Sequence, residues 1–247
     1  MRRLLFHHCW LVVLALALDA SGQTLAGRET NPGPALVTCG AKPPLASHTV
    51  RSDVLVSPDG KRRAYAEVEA TALYPERPAG YSGPLCVNHS RLFVADQAQD
   101  FKLVFLQEAT DMENGNSLRL VDWSSDSRRL LVELADWHYE QPGISRNILI
   151  YDTRYTTFQQ PELIPALAKA YAHDCSFNIR VVGFNLAGKI VLEADPLSPE
   201  EEEVQGISSC ARKKSWFEMD RSTEILVSIP EPPKLEHNAR IEPAPGK

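Results

Sequence analysis

The chain has 247 residues, of which 43% are hydrophobic and 23% charged, the balance of an ordinary globular protein with enough apolar side chains for a sizeable core. Its formal net charge of -6 comes without a clustered basic footprint, which argues against a nucleic-acid partner. The basic cluster Arg212-Lys213-Lys214 lies just after the acidic run 200–203, and both read as solvated faces.

In chain order, Met1-Arg2-Arg3 and the apolar run 4–18 have the basic start and short hydrophobic stretch of a secretory signal peptide. Small residues at Ala20, Ser21 and Gly22 place the cut after Gly22, with Ala20 and Ala26 as other candidates. The run falls short of the roughly 20 apolar residues that span a bilayer, and no later stretch is long enough. The mature chain is therefore expected to be exported, periplasmic or extracellular, with no stable membrane span after cleavage. Removal of residues 1–22 leaves 24 basic and 31 acidic residues, a net charge of -7.

Cys9 leaves with the signal. Cys39, Cys86, Cys175 and Cys210 remain, an even number suited to an oxidising compartment. Four cysteines allow three pairings; sequence adjacency favours Cys39 with Cys86 and Cys175 with Cys210, the second bracing two strands of one sheet unit. No two of them have the short C-x-x-C spacing of a zinc site, so metal binding is the weaker reading.

Residues 23–47 are rich in Gly, Pro, Thr and Asn and read as a flexible lead-in. The ordered β domain spans 48–229. It opens with strand-forming residues up to Val56, followed by Ser57-Pro58-Asp59-Gly60, in which Pro presets its backbone angle, Asp bonds the backbone ahead and Gly accepts a positive φ. Residues 64–70 then alternate with the period of a half-buried strand. A Pro- and Gly-rich loop at 75–84 precedes strands at 91–95 and 101–106. Strand 118–123 leads into a second turn at Ser125-Asp126-Ser127, and strands 129–137 and 147–151 follow. Residues 161–173 carry Leu163, Leu167, Ala170 and Tyr171 at helical spacing behind Pro161, which predicts one short helix. Strand 179–184, a third turn at Asn185 to Gly188 and strand 189–194 come next. An acidic, proline-containing loop at 196–206 and strands at 216–219 and 224–229 complete the domain, and the proline-rich tail 230–247 is expected to be disordered.

A strand, an Asp/Gly turn, a longer strand and two more strands thus recur three times at about sixty residues, the mark of a repeat architecture. Val56-Ser57-Pro58-Asp59-Gly60-Lys61-Arg62 resembles the WD40-like propeller repeat of the periplasmic TolB type. Trp123-Ser124-Ser125-Asp126-Ser127-Arg128-Arg129 keeps the aromatic lead and the Asp, and Phe184-Asn185-Leu186-Ala187-Gly188-Lys189 keeps the aromatic and the Gly-Lys. The resemblance implies an all-β, mainly antiparallel fold of three propeller-like sheet units with Asp59, Gly60, Asp126 and Gly188 at the repeat turns. Closed propellers have four or more blades, so an open three-unit arc, a dimer completing the ring and a fourth unit without the motif all stand.

Motifs for chemistry are sparse. Gly80-Tyr81-Ser82-Gly83 falls one residue short of a nucleophile elbow and sits in a proline-rich loop. No phosphate loop, dinucleotide fingerprint or H-E-x-x-H motif implies a cofactor or metal. The histidines are scattered singly, and carboxylate spacing singles out no acid/base pair. Asp59 and Asp126 occupy equivalent turn positions, which favours capping of backbone N–H groups in each. Trp123, Trp137, Trp216 and Tyr139 could line a binding groove, but most of them are expected to fill the spaces between sheets, and Asn88-His89-Ser90 has the form of a glycosylation acceptor. The reading is a non-enzymatic, exported interaction module for a protein or cell-envelope component. A secreted hydrolase of glycan or peptide working through carboxylates is the alternative, and a structural accessory of a larger assembly a third.

Overall fold

The computed structural model describes residues 47–72, 86–97, 99–109, 114–138, 141–171, 175–222, 225–235 and 239–244. The fold is mostly β and almost wholly antiparallel, as expected, and is built as three consecutive meanders. The first contains β1 (Ser47–Arg51), β2 (Val54–Val56), β3 (Arg62–Ala72), β4 (Cys86–Asp96) and β5 (Lys102–Gln107), with β1 and β2 in succession along one side of β3, so that together they count as the first of its four strands. The second contains β6 (Asn114–Trp123), β7 (Arg129–His138), β8 (Gln141–Asp152) and β9 (Thr157–Gln159). Helix α1 (Leu163–Tyr171) and the short strand β10 (Cys175–Ser176) lead into the third, made of β11 (Asn178–Phe184) and β12 (Ile190–Asp195). Helix α2 (Pro199–Gln205) and β13 (Ser208–Ser209) interrupt it before β14 (Ser215–Met219) and β15 (Leu226–Ile229). A last strand, β16 (Arg240–Glu242), returns to pair with β2. The first two meanders form one ten-stranded sheet only through a single parallel bridge, Asn88 to Gly115, between β4 and β6.

Strand periodicity explains how the meanders stack. Ala64, Ala66, Leu92 and Val94 of the first close on Leu118, Leu130, Val132 and Leu149 of the second. The opposite face of the second, with Val121, Leu131, Ile148 and Ile150, closes on Val181, Ile190, Leu192 and Phe217 of the third, and α1 seals this layer with Leu163, Ala166 and Leu167. The middle meander is therefore buried on both faces, and 130–134 reads as an unbroken apolar run apart from Glu133. Trp123 and Trp137 are buried as expected, while Trp216 is half-buried on the outer face of the third meander.

Polar groups also cross between meanders. Val181 stands opposite Leu192 in the β11–β12 ladder, yet its main-chain groups bond the second meander: its N–H donates to Glu133 Oε2 at 3.1 Å while its carbonyl accepts from Arg119 Nη2 at 2.7 Å. The N–H of Phe184 donates to Asp122 Oδ2 at 3.0 Å. Between the first and second meanders, Trp123 Nε1 donates to the Leu55 carbonyl at 3.1 Å. Burial alone would raise the Glu133 carboxyl; the Arg119 and Arg146 guanidinium groups and the Val181 N–H more than reverse that and hold it below its ordinary value.

Two expectations are corrected. The described residues contain two helices, since residues read as an acidic loop form α2: Ser198 Oγ accepts from the Glu201 N–H, the Glu201 carboxylate accepts from the Ser198 N–H, and Pro199 opens the helix. The tail expected to be disordered contributes β16, and Ile241 of this strand packs with the preceding Ala239 into the layer between the first and second meanders.

Cys175 and Cys210 form a disulfide, with a Cα–Cα distance of 4.9 Å. It ties together the ends of β10 and β13, a parallel pair beside the third meander instead of two strands within it. Cys39 and the Cys86 side chain lie outside the described residues, as do residues 1–46 with the signal and most of the lead-in, and the Gly80 to Gly83 loop.

Replacing both Cys175 and Cys210 by Ala is expected to lower stability by about 3–4 kcal/mol on loop entropy alone, readable in denaturant unfolding against the oxidised chain; no change in midpoint would mean the crosslink constrains nothing. Glu133→Ala is expected to cost about 3 kcal/mol, because it leaves Arg119 and the Val181 amide facing each other without the carboxylate. As its folded value lies below its unfolded one, the stability Glu133 supplies is complete above the ordinary carboxyl range and disappears as acidification passes down through the lowered value. The Ala variant should therefore show a flatter acid limb of its stability curve.

Candidate functional site

The three repeat turns join the first and second strands of their meanders, and they bend the backbone alike. The N–H of Gly60 donates to the Ser57 carbonyl, that of Ser127 to Ser124 and that of Gly188 to Asn185, at 2.8–2.9 Å. The donating residue sits at φ 71°, 58° and 72° respectively. Glycine takes that conformation freely; for Ser127 it costs about 1 kcal/mol.

The capping side chains are equally regular in the first two turns. Asp59 Oδ1 accepts from the Lys61 N–H at 3.0 Å and from Ser57 Oγ at 2.7 Å, and Asp126 Oδ1 accepts from the Arg128 N–H at 3.1 Å and from Ser124 Oγ at 2.6 Å. Ser57 Oγ and Ser124 Oγ in turn accept from the N–H groups of Arg62 and Arg129, each at 2.9 Å. The third turn is one residue shorter, and Asn185 does both jobs: its Oδ1 accepts from Ala187 and Lys189, both at 3.0 Å. Burial pushes the Asp59 and Asp126 carboxyls up, but these hydroxyl and amide donors outweigh it and leave both below the usual aspartate value. The expected capping role of Asp59 and Asp126 is what the geometry displays.

A second set of turns, between the third and fourth strands, comes to the same side, and sequence reading missed it. Asp96 ends β4, Asp152 ends β8 and Asp220 follows β14. Each stands after an apolar strand, as Val94-Ala95-Asp96, Ile150-Tyr151-Asp152 and Phe217-Glu218-Met219-Asp220, a signal that was present but unread. Asp152 Oδ1 accepts from the Arg154 N–H at 2.9 Å, and Asp220 Oδ1 from the Ser222 N–H at 2.8 Å. Arg62 reaches Asp96 at 3.7 Å and Arg129 reaches Asp152 at 3.5 Å, so the first-turn arginines hold the second-turn aspartates. The Gln97 N–H donates to the Lys61 carbonyl and the Thr153 N–H to the Arg128 carbonyl, the same tie in both meanders.

The turns of different meanders touch. The Asp59 N–H donates to Ser127 Oγ at 3.1 Å, and Arg62 Nη1 to the Ser127 carbonyl at 2.9 Å. From the third meander, Arg221 lies within the field of Arg129, Asp126, Asp220 and Asp152; burial first, and then repulsion from Arg129, lower its pKa. Asp59, Gly60 and Asp126 are thus brought together, and from the third meander Arg221 feels the charges of the same turns. Lys61, Arg128, Arg154, Tyr155 and Leu186 stand exposed on the turns around this face, with the Arg154 guanidinium 5.3 Å from the Tyr155 ring centre. The arrangement is a fixed array of arginine and aspartate with a rim of basic residues, Tyr155 and Leu186, suited to contact with a polar surface.

Other candidates do not join it. Asn88 is 1% exposed in the middle of β4, so the folded chain does not present it as a glycosylation acceptor. Among the described residues no group of three or more His, Cys, Asp or Glu side chains is placed to hold a metal ion, and no helix is long and apolar enough to cross a membrane. No family model matches the chain, and no curated protein matches it.

Asp126→Ala removes the acceptor for Ser124 Oγ and the Arg128 N–H and is expected to lower the unfolding free energy by about 1 kcal/mol, whereas Asp126→Asn, which keeps an acceptor oxygen, should lose about half of that. Chemical unfolding followed by circular dichroism distinguishes them; equal losses would show that charge, not hydrogen bonding, holds the turn.

Proposed function

We propose that this chain is an exported, non-enzymatic interaction module, an open arc of three propeller-like units that offers its turn face to a protein or cell-envelope component. The observation that carries the reading is the direct bonding between equivalent turns, Asp59 N–H to Ser127 Oγ and Arg62 to the Ser127 carbonyl, which makes one rigid face out of loops far apart in sequence. Loops fixed by a sheet scaffold are where binding residues concentrate, because the partner meets a surface whose ordering entropy is already lost. Four-stranded antiparallel meanders stacked face to face are consistent with propeller-type units. The basic start and apolar run of residues 1–18 support export, and the Cys175–Cys210 disulfide suits an oxidising compartment.

Substitution of exposed rim residues alone tests the binding face. The variant Lys61→Glu, Arg128→Glu, Tyr155→Ser, Leu186→Ser is expected to keep its melting temperature within about 3 °C, since surface changes rarely exceed about 0.5 kcal/mol each. It should fail to retrieve from a native envelope extract the partner that the parent chain retrieves. Recovery of the same partner by both chains, or of none by the parent, would sink the reading.

A further inference from the structure

The inner side of β2 is a buried strand edge, and the chain covers it with its own end. β16 runs antiparallel to β2 with Arg240 opposite Val56, Ile241 opposite Leu55 and Glu242 opposite Val54. Among the described residues its ladder to β2 has three residue pairs, whereas that of β3 to β4 has eleven. Ala239 and Ile241 turn into the apolar layer beside Leu55 and Trp123, while Arg240 and Glu242 have side chains 70% and 44% exposed. In the connection from β15, Pro230, Pro232 and Pro233 have no N–H to give, and among the described residues Leu235 makes an isolated bridge with Asn185.

We propose that the β2 edge is a strand-addition site, that the segment 239–242 is its resident and releasable ligand, and that the partner is an extended segment of another protein. The resident strand states the chemistry the site accepts. An edge is recognised through main-chain N–H and C=O groups, which any extended backbone supplies, and specificity comes from alternate side chains that enter pockets. Here those are a small residue at the Ala239 position and a branched apolar residue at the Ile241 position, with polar residues between them facing solvent. A tethered strand competes at an effective concentration on the order of millimolar, so the intact chain discriminates against weak segments and opens only to one that matches both pockets. Charge plays a minor part, since the exposed Arg240 and Glu242 lie 4.0 Å apart and answer each other. The Arg240 side chain lies beside Gly60 of the turn face, but the test reads only peptide binding and protection at β2 and does not depend on the outcome there.

The probe is a fluorescently labelled synthetic peptide with the sequence Asn-Ala-Arg-Ile-Glu-Pro-Ala of residues 238–244, presented to the full chain and to the full-length Ile241→Asp variant. A carboxylate in the apolar pocket weakens the resident strand, so the variant is expected to bind the peptide about ten-fold more tightly than the parent does. Hydrogen exchange at residues 54–56 should quicken in the variant and slow again when peptide is added, and a peptide carrying Asp in place of Ile should do neither. If the Asp variant fails to fold, Ile241→Ala serves instead, with a gain of about three-fold expected. Equal binding to parent and variant, or unchanged protection of residues 54–56 in a folded variant, would overturn the proposal. A concentration-dependent dimer that exchanges β16 between copies would assign the edge to a second copy and overturn it as well.

Discussion

A meander stacked face to face on its neighbour buries the edge of its innermost strand, and a buried backbone N–H or C=O without a partner costs about as much as a lost hydrogen bond. Two solutions to that constraint coexist here. At β11 side chains of the neighbouring meander reach across, Glu133 and Arg119 gripping both polar groups of Val181 and Asp122 taking the Phe184 N–H. At β2 the edge is met by a strand, β16, with Trp123 Nε1 adding a bond to the Leu55 carbonyl. The first solution locks the second and third meanders by charge-assisted bonds inside an apolar layer. The second fastens the first meander with a short strand from the far end of the chain.

The Arg119–Glu133 pair has a counterpart one meander on. Arg180 stands opposite Glu193 in the β11–β12 ladder as Arg119 stands opposite Glu133 in the β6–β7 ladder, and Lys214 completes the second trio where Arg146 completes the first. Glu133 spends an oxygen on a neighbouring strand, while Glu193, on the outer face, accepts from Lys214 at 2.7 Å. The same two residue types therefore serve as a clamp inside the stack and as a charged cover at its end, which is how repeat proteins make terminal faces soluble. The first meander carries such a trio as well, with Arg51 opposite Glu67 in the β1–β3 ladder and Arg91 opposite it in the β3–β4 ladder, both bonded to Glu67, and Arg91 also reaching Glu69. Its outer face adds Tyr65 stacked on Phe93 and edge-on to Phe101, with Arg63 over Phe101.

Strands and turns were legible because both are local. Residues 64–70 alternate since one face meets solvent-side charge and the other meets the second meander, and the turn residues are dictated by a φ that glycine or a capped serine can hold. The second turn lost both Pro and Gly and was still readable from Asp126, because the cap survives without them. Helix α2 carries a capping box at Ser198 and Glu201 and was passed over because proline and four glutamates suggest a loop; the box is the stronger signal. What sequence could not show is tertiary. β16 has no periodicity of its own and is a strand only because β2 offers an edge. Glu67, Glu133 and Glu193 look like surface carboxylates until the cations beside them are placed. The touching of the turns, on which the candidate face rests, is invisible in one dimension because Asp59 and Ser127 belong to different meanders.

The return of β16 to β2 also sets an order of events. Nearly the whole described chain separates Val54 from Glu242, so the N-terminal sheet stays incomplete while the ribosome is still adding residues. Closing so large a loop is entropically dear and raises the contact order, which slows the last step of maturation and lengthens the time an uncovered edge is open to capture by other chains. A molecule arranged in this way is vulnerable at β2 until β16 has been made, and nascent chains cut short before Arg240 would carry the liability permanently.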